Sequence, residues 1–238
     1  MTELGRVEFT RLRGFLAQFG ASEQEVTEDL APLAVVLNDP ADQRFVATQL
    51  YDEARHAEFL EQYWETVIHQ VEDERGVART DPTADRWHAE PHKTLLRRTS
   101  DAMARLLTTA DPEMRARAYS HYHLVVEGVL AQTAYEWVDE RYSEESSDGL
   151  ALPALTSGFQ RLQQDEARHV TFGVRRVQDL LDAGVDTAVV VETIDELLPF
   201  VEATIDRMVT ESGREQLLEQ VEEERDQRLK EVGAVEAA

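Results

Sequence analysis

An all-α bundle with four long core helices plus additional helices is what the sequence predicts. Apolar stripes of helical period run through most of the 238 residues, and turn formers are sparse, with 11 glycines and 7 prolines. No segment shows the period-two alternation of β-branched residues that marks a strand. Helices that each carry one apolar stripe must cover it with one another, which a bundle does.

The elements follow in order. Phe9 to Leu37 scans as mostly helical, with Gly14, Gly20 and Pro32 as weak points. Asp39-Pro40 sets a capping side chain ahead of a first-turn proline and predicts a helix start. A stripe of Phe45, Leu50, Ala54, Ala57, Leu60, Trp64 and Val67-Ile68 then carries that helix to about Arg75. Asp81-Pro82 predicts the restart of a short segment, and Pro91 to Ala110 a further helix. Asp111-Pro112 repeats the start signal for a helix reaching about Glu144, closed by the polar loop Ser143 to Gly149. Leu152 to about Ala183 is helical and stops at Gly184, a C′ glycine. Asp186 to Glu211 follows, with a kink expected at Pro199. Residues 1–212 read as one helical domain and 213–238 as a charged C-terminal helix or tail.

Composition excludes several function classes. Lys+Arg number 24 against 48 Asp+Glu, a formal net charge of −24, which repels phosphate backbones and argues against nucleic acid as a partner. The longest apolar stretch, Ala31 to Leu37, is far too short for a membrane span, and Met1 to Leu4 lacks a signal-peptide pattern. Cysteine is absent, which removes disulfides, thiolate metal sites and cysteine nucleophiles. A cytoplasmic location is the expectation. Lys93 and Lys230 are the only lysines; this acidic, arginine-biased composition fits a halophilic cytoplasm or, equally, a biased genome with an ordinary acidic surface.

One pentapeptide occurs twice, as Asp52-Glu53-Ala54-Arg55-His56 and Asp165-Glu166-Ala167-Arg168-His169. Each copy lies inside a long predicted helix. A Glu and a His three positions apart share a helix face, so two such helices bring two carboxylates and two imidazoles to one point. A single copy would read as ordinary solvated-helix vocabulary; two identical copies flanked by apolar residues read as ligands. The set is half of a carboxylate-bridged dinuclear metal site, which needs one further Glu from each of two more helices. Carboxylate oxygens with only two imidazoles suit iron and manganese better than zinc.

The third core helix offers Glu127, a lone acid in the apolar run from Leu124 to Ala131, costly to bury unless paired or metal-bound. The first helix offers Glu23, Glu25 and Glu28, and pattern alone does not choose among them. His69, His88, His92, His121 and His123 belong to no motif and read as surface or satisfied core residues, with His123, one turn before Glu127, the one worth testing.

The order Glu, Asp-Glu-Ala-Arg-His, Glu-Gly, Asp-Glu-Ala-Arg-His resembles the ferritin-like superfamily over Phe9 to Leu180, specifically the ribonucleotide reductase small subunit and its relatives. The bundle is then a ferritin-like one. A bacterioferritin-like reading fits less well, because the long stretch between His56 and Glu127 leaves room for the extra helix near Pro91 to Ala110. A reductase small subunit usually carries a radical tyrosine four residues after the first motif's histidine, where this chain has Leu60. No tyrosine follows Tyr142, and the segment from Glu215 has no aromatic residue for a relay.

The small-subunit-like ligand-binding oxidases are the nearer resemblance. They imply a manganese/iron pair (two irons being the alternative), dioxygen activation, a bound long-chain fatty acid or other apolar ligand, and commonly a homodimer. They also imply an ether crosslink between a valine three residues after the first glutamate and a tyrosine five before the third. With Glu23 as first ligand these are Val26 and Tyr122, an alignment that favours Glu23 over Glu25. The implied metal ligands are Glu23, Glu53, His56, Glu127, Glu166 and His169. Asp52 and Asp165 are expected to hydrogen-bond ligand histidines across the bundle, a solvent-facing position being the plain alternative. The competing readings are a ribonucleotide reductase small subunit and a metal-storage or lipid-carrying bundle.

Overall fold

A computed structural model describes residues 4–146, 150–207 and 211–235. They are helical, with no β-strand among the described residues. Four long helical runs form the core: α1 (Arg6–Val36), α2 (Pro40–Tyr63), the run from α5 (Pro112–Tyr119) through a π-helical segment (Ser120–Ala131) into α6 (Gln132–Tyr142), and α7 (Pro153–Asp182). Helix α2 widens into a π-helical turn (Trp64–Ile68) and continues as α3 (His69–Glu74). Helices α4 (Glu90–Arg105), α8 (Thr187–Ile205) and α9 (Glu211–Glu231) pack around the core.

Local chemistry sets most of the boundaries. Asp39 Oδ1 accepts from the Ala41 amide at 2.7 Å, and Asp111 Oδ1 from Met114 at 2.8 Å, so both Asp-Pro pairs cap helices. Gly184, at φ 104°, ends α7: its amide reaches Leu181 O and the Val185 amide reaches Leu180 O, the paired bonds of a Schellman stop. Helix α1 runs unbroken through Gly14, Gly20 and Pro32, because its stripe of Phe9, Leu12, Leu16, Phe19, Val26, Leu30 and Leu33 is buried along its whole length.

Three expectations need correction. Asp81-Pro82 does not restart a helix: Asp81 Oδ1 accepts from the Thr83 amide in a local turn, and only the 3₁₀ turn Asp85–Trp87 follows. The helix expected from Pro91 to Ala110 ends at Arg105, and that expected to reach Glu211 ends at Ile205. Of the two alternatives for the C-terminal segment, the described residues form the helix, α9, which buries Leu217, Val221 and Leu229. Of the polar loop at 143–149, residues 147–149 lie outside the described residues.

The π-helical segment is what positions the site. Every residue from Tyr122 to Leu130 is buried, so this is the central helix. Residues five apart point about 140° apart on an α-helix, whereas i→i+5 winding brings them close to one face. Tyr122 and Glu127 are therefore both turned inward.

Candidate metal centre

Four helices each commit core positions to polar side chains. On α1 the buried stripe reads Phe19, Glu23, Val26, Leu30; on α2, Val46, Gln49, Glu53, His56, Leu60; on α7, Phe159, Leu162, Glu166, His169. The π segment adds Glu127. These positions carry the helical period of a core stripe, so the packing that assembles the bundle also brings the six side chains together.

They form two interlocked quartets, Glu23–Glu53–His56–Glu166 and Glu53–Glu127–Glu166–His169, each with donor atoms within 4.8 Å of one another and each residue buried. Glu53 and Glu166 belong to both, and each divides its two oxygens between the histidines. Glu53 places Oε2 3.2 Å from His56 Nδ1 and Oε1 3.1 Å from His169 Nδ1. Glu166 places Oε1 3.3 Å from His56 Nδ1 and Oε2 3.3 Å from His169 Nδ1. Glu23 serves only the His56 side, at 3.4 Å, and Glu127 only the His169 side, at 3.9 Å.

The donor chemistry fits two cations. His56 Nδ1 has three carboxylate oxygens around it yet forms no hydrogen bond, and Glu127 Oε2 is buried without a partner. Lone pairs converging in this way repel unless protons or cations sit among them. The distal nitrogens explain the orientation. His56 Nε2 faces Asp165 Oδ2 at 3.3 Å, and His169 Nε2 faces Asp52 Oδ2 at 3.5 Å. A hydrogen on each Nε2 leaves Nδ1 as the ligating atom. The pairing crosses the bundle: each motif's aspartate holds the other motif's histidine. Arg55 and Arg168 close the outside, Arg55 bonding Asp52 at 2.9 Å and Arg168 bridging to both aspartates.

Protonation follows the same geometry. Burial pushes the Glu23 carboxyl up to about 8, and burial with the Glu166 charge pushes Glu127 well above its ordinary range. Burial alone would raise Glu53, but the adjoining His169 and His56 imidazoles outweigh it and hold the carboxyl far below. Burial would lower both histidines; the adjoining Glu166 and Glu53 carboxylates instead raise His169 to about 11, and those of Glu166, Glu23 and Glu53 raise His56 strongly.

The structure places Glu25 elsewhere, accepting from Ser100 Oγ at 3.2 Å, and leaves Glu28 exposed. Tyr122 is fully buried and its hydroxyl donates to Glu53 Oε1 at 3.4 Å. Val26 lines a narrow cleft, partly open to solvent. The cleft has Glu23, Glu53, Glu127 and Glu166 at one side and Phe19, Val126 and Leu130 among its other walls. Among the histidines without a motif, His69, His88 and His92 are bonded to Thr80 O, Pro82 O and Ser22 Oγ. His123 is different: it is buried beside the centre and reaches Gln49, a residue sequence reasoning did not single out. The signal for Gln49 was its place in the α2 stripe, one turn before Glu53.

No family model matches the sequence. Among solved structures, an R2-like ligand-binding oxidase with a tyrosine-to-phenylalanine substitution and an aerobically reconstituted Mn/Fe cofactor superposes with a TM-score of 0.82 at 26% identity, covering 98% of this chain and 83% of that one. A valine-to-isoleucine variant, also aerobically reconstituted with Mn/Fe, gives 0.82 and 26%, covering 98% and 84%. A valine-to-leucine variant with anaerobically reconstituted Mn/Fe gives 0.82 and 27%, covering 98% and 83%. The likeness agrees with the resemblance read from the repeated motif, and with a ferritin-like bundle. Ligand motif, fold and solved neighbours thus converge on one kind of protein, a dinuclear-metal oxidase similar to the R2-like ligand-binding oxidases.

Proposed function

We propose that the chain activates dioxygen at a manganese/iron pair held by Glu23, Glu53, His56, Glu127, Glu166 and His169, next to a cavity that takes a long-chain fatty acid or a similar apolar ligand. One observation carries the reading: Glu53 and Glu166 each turn one oxygen to either histidine, the arrangement of two bridging carboxylates. Glu23 with His56 and Glu127 with His169 then serve as the separate ligands of the two ions. The bound ions supply the electrons and Lewis acidity for reducing dioxygen.

The remaining work falls to the chain's own side chains. Asp165 and Asp52 keep the hydrogens on the distal nitrogens, so that both imidazoles present Nδ1. Burial and the surrounding carboxylates push the Tyr122 phenol well above its ordinary range, so it stays protonated and donates to Glu53. The apolar walls exclude water and bring an alkyl chain, or the Val26 isopropyl group, next to the centre. In the crosslink reading, Val26 loses a C–H hydrogen and Tyr122 its O–H hydrogen, a C–O bond forms, and the two electrons and two protons pass to dioxygen.

Intact-mass measurement after aerobic loading with Mn(II) and Fe(II) tests this. A mass lower by two hydrogen atoms, abolished in Tyr122→Phe, supports the crosslinking oxidase. An unchanged mass together with no extractable fatty acid would remove this reading. Ribonucleotide reduction on adding a reductase large subunit would replace it.

A further inference from the structure

The two quartets match in ligand type but differ in what holds their separate carboxylates. Among the described residues, Glu23 has only His56 as a side-chain partner, at 3.4 Å. Glu127 is gripped by a neutral amide: Gln49 Nε2 donates to its Oε1 at 2.7 Å, leaving Oε2 buried and without a partner. Gln49 is itself fully buried, and the same Nε2 lies 3.5 Å from Glu53 Oε1.

The direction of this bond is fixed from both ends. A carboxylate only accepts, so the Gln49 amino group faces Glu127 and its carbonyl oxygen faces away. That oxygen lies 3.3 Å from His123 Nε2, which must therefore carry the hydrogen. His123 cannot turn aside. Its ring packs against Tyr122 at 4.8 Å, Tyr119 at 5.4 Å and Phe172 at 5.9 Å between centroids. Gly173 on α7 makes room for it, since a Cβ there would stand 2.1 Å from His123 Cβ.

We propose that Gln49, oriented by His123, is a positioning residue that pins Glu127 Oε1, the oxygen 3.9 Å from His169 Nδ1, and so fixes how this carboxylate faces the Glu127/His169 half. Glu23, lacking such a donor, stays free to turn between one-oxygen and two-oxygen binding. The two halves of the centre are thus made unequal by a residue that ligates neither ion. The inference rests on the dinuclear reading above.

Titration of the full chain with Mn(II), followed by the electron paramagnetic resonance of the unbound ion, measures the two affinities. Anomalous scattering from crystals at limiting Mn(II) assigns them to positions. Gln49→Leu should weaken the Glu127/His169 position by about 10- to 100-fold, the usual cost of losing an outer partner of a ligand. The Glu23/His56 position should keep its affinity and so serves as the folding control. His123→Phe should weaken the same position by a smaller factor. Equal weakening of both positions by Gln49→Leu, or no weakening of either, would overturn the proposal, as would a His123→Phe effect on the Glu23/His56 position. A wild-type chain that binds fewer than two ions would instead refute the dinuclear reading itself.

Discussion

The crossed pairing of aspartates and histidines yields a prediction that separates it from pairing within each motif. Asp165 sits beside Glu166 and four residues before His169, so adjacency in the chain alone would assign it to the His169 half. The structure assigns it to His56, whose Nε2 it meets at 3.3 Å, while Asp52 meets His169 at 3.5 Å. Asp165→Asn keeps an oxygen that can accept from Nε2 but removes its charge, and an amide turned the other way forces the hydrogen onto Nδ1, where it blocks ligation. Loss of such an outer-shell acceptor costs about 10- to 100-fold in metal affinity, or about 1.4 to 2.8 kcal/mol. That loss falls on the Glu23/His56 half alone. Asp52→Asn should strike the Glu127/His169 half, and nearer the upper end, because the Asp52 side chain is 5% exposed against 20% for Asp165, so water substitutes less well for the lost charge. Histidine ¹⁵N resonances followed during titration with diamagnetic Zn(II) report each half separately. If Asp165→Asn delays the response of His169 and leaves that of His56 unchanged, the crossed arrangement is wrong.

Other consequences follow from the same geometry. Glu53→Ala should abolish binding of both ions, since Glu53 serves both quartets, whereas Glu23→Ala should leave one; metal content per chain counts them, and Glu53→Ala with two ions would refute the bridging role. Gly173→Ala drives a Cβ to 2.1 Å from His123 Cβ and should lower stability by about 1–3 kcal/mol, read from the urea midpoint; an unchanged midpoint would mean that α7 shifts freely there. Burial holds His92 and His121 neutral down to about 4, whereas in the unfolded chain they titrate near 6.5. Between those values the unfolded chain takes up protons that the fold refuses, so stability falls as pH drops through the window. His92→Gln should reduce that slope by about one proton, and an identical slope would contradict the buried neutral assignment.

What the sequence made legible was whatever depends on α-helical period alone. The two Glu-x-x-His pairs face inward because three positions are nearly one turn, and Glu127 stood out as one acid in an apolar run. Glu23 was less visible than it had to be. The alternation Phe19, Glu23, Val26, Leu30 places it on the buried stripe, while Glu25 falls off it and bonds Ser100 instead. Other features had no pattern to announce them. Tyr122 and Glu127 share a face only because the helix widens there into i→i+5 winding, and no residue preference in Ser120–Ala131 signals that change. The bond from Gln49 to Glu127 joins α2 to the central helix, a contact that exists only after packing. Asp81-Pro82 misled for a local reason: an Asp-Pro pair serves a tight turn as well as a helix cap, and Asp81 bonds Thr83 before a helix can form.

The acid surplus and the acid centre obey different physics. Most of the 48 acids lie toward solvent, several in ion pairs with arginine such as Asp73–Arg79 and Asp195–Arg225, where water screens them and each pair contributes little. Glu23, Glu53, Glu127 and Glu166 occupy core-stripe positions, where an apolar side chain would otherwise contribute to folding and a lone carboxylate is costly. The surrounding core offsets that cost next to the centre, with Phe15, Phe19, Tyr135 and Phe159 packed ring to ring at centroid distances of 5.1 to 5.9 Å. A surface acid can be exchanged with small effect on the fold, so net charge carries little information about chemistry. A carboxylate held in a stripe against that cost is informative because packing alone would not choose it. The four core-stripe glutamates, set against that cost beside His56 and His169, are therefore where a search for this bundle's chemistry belongs.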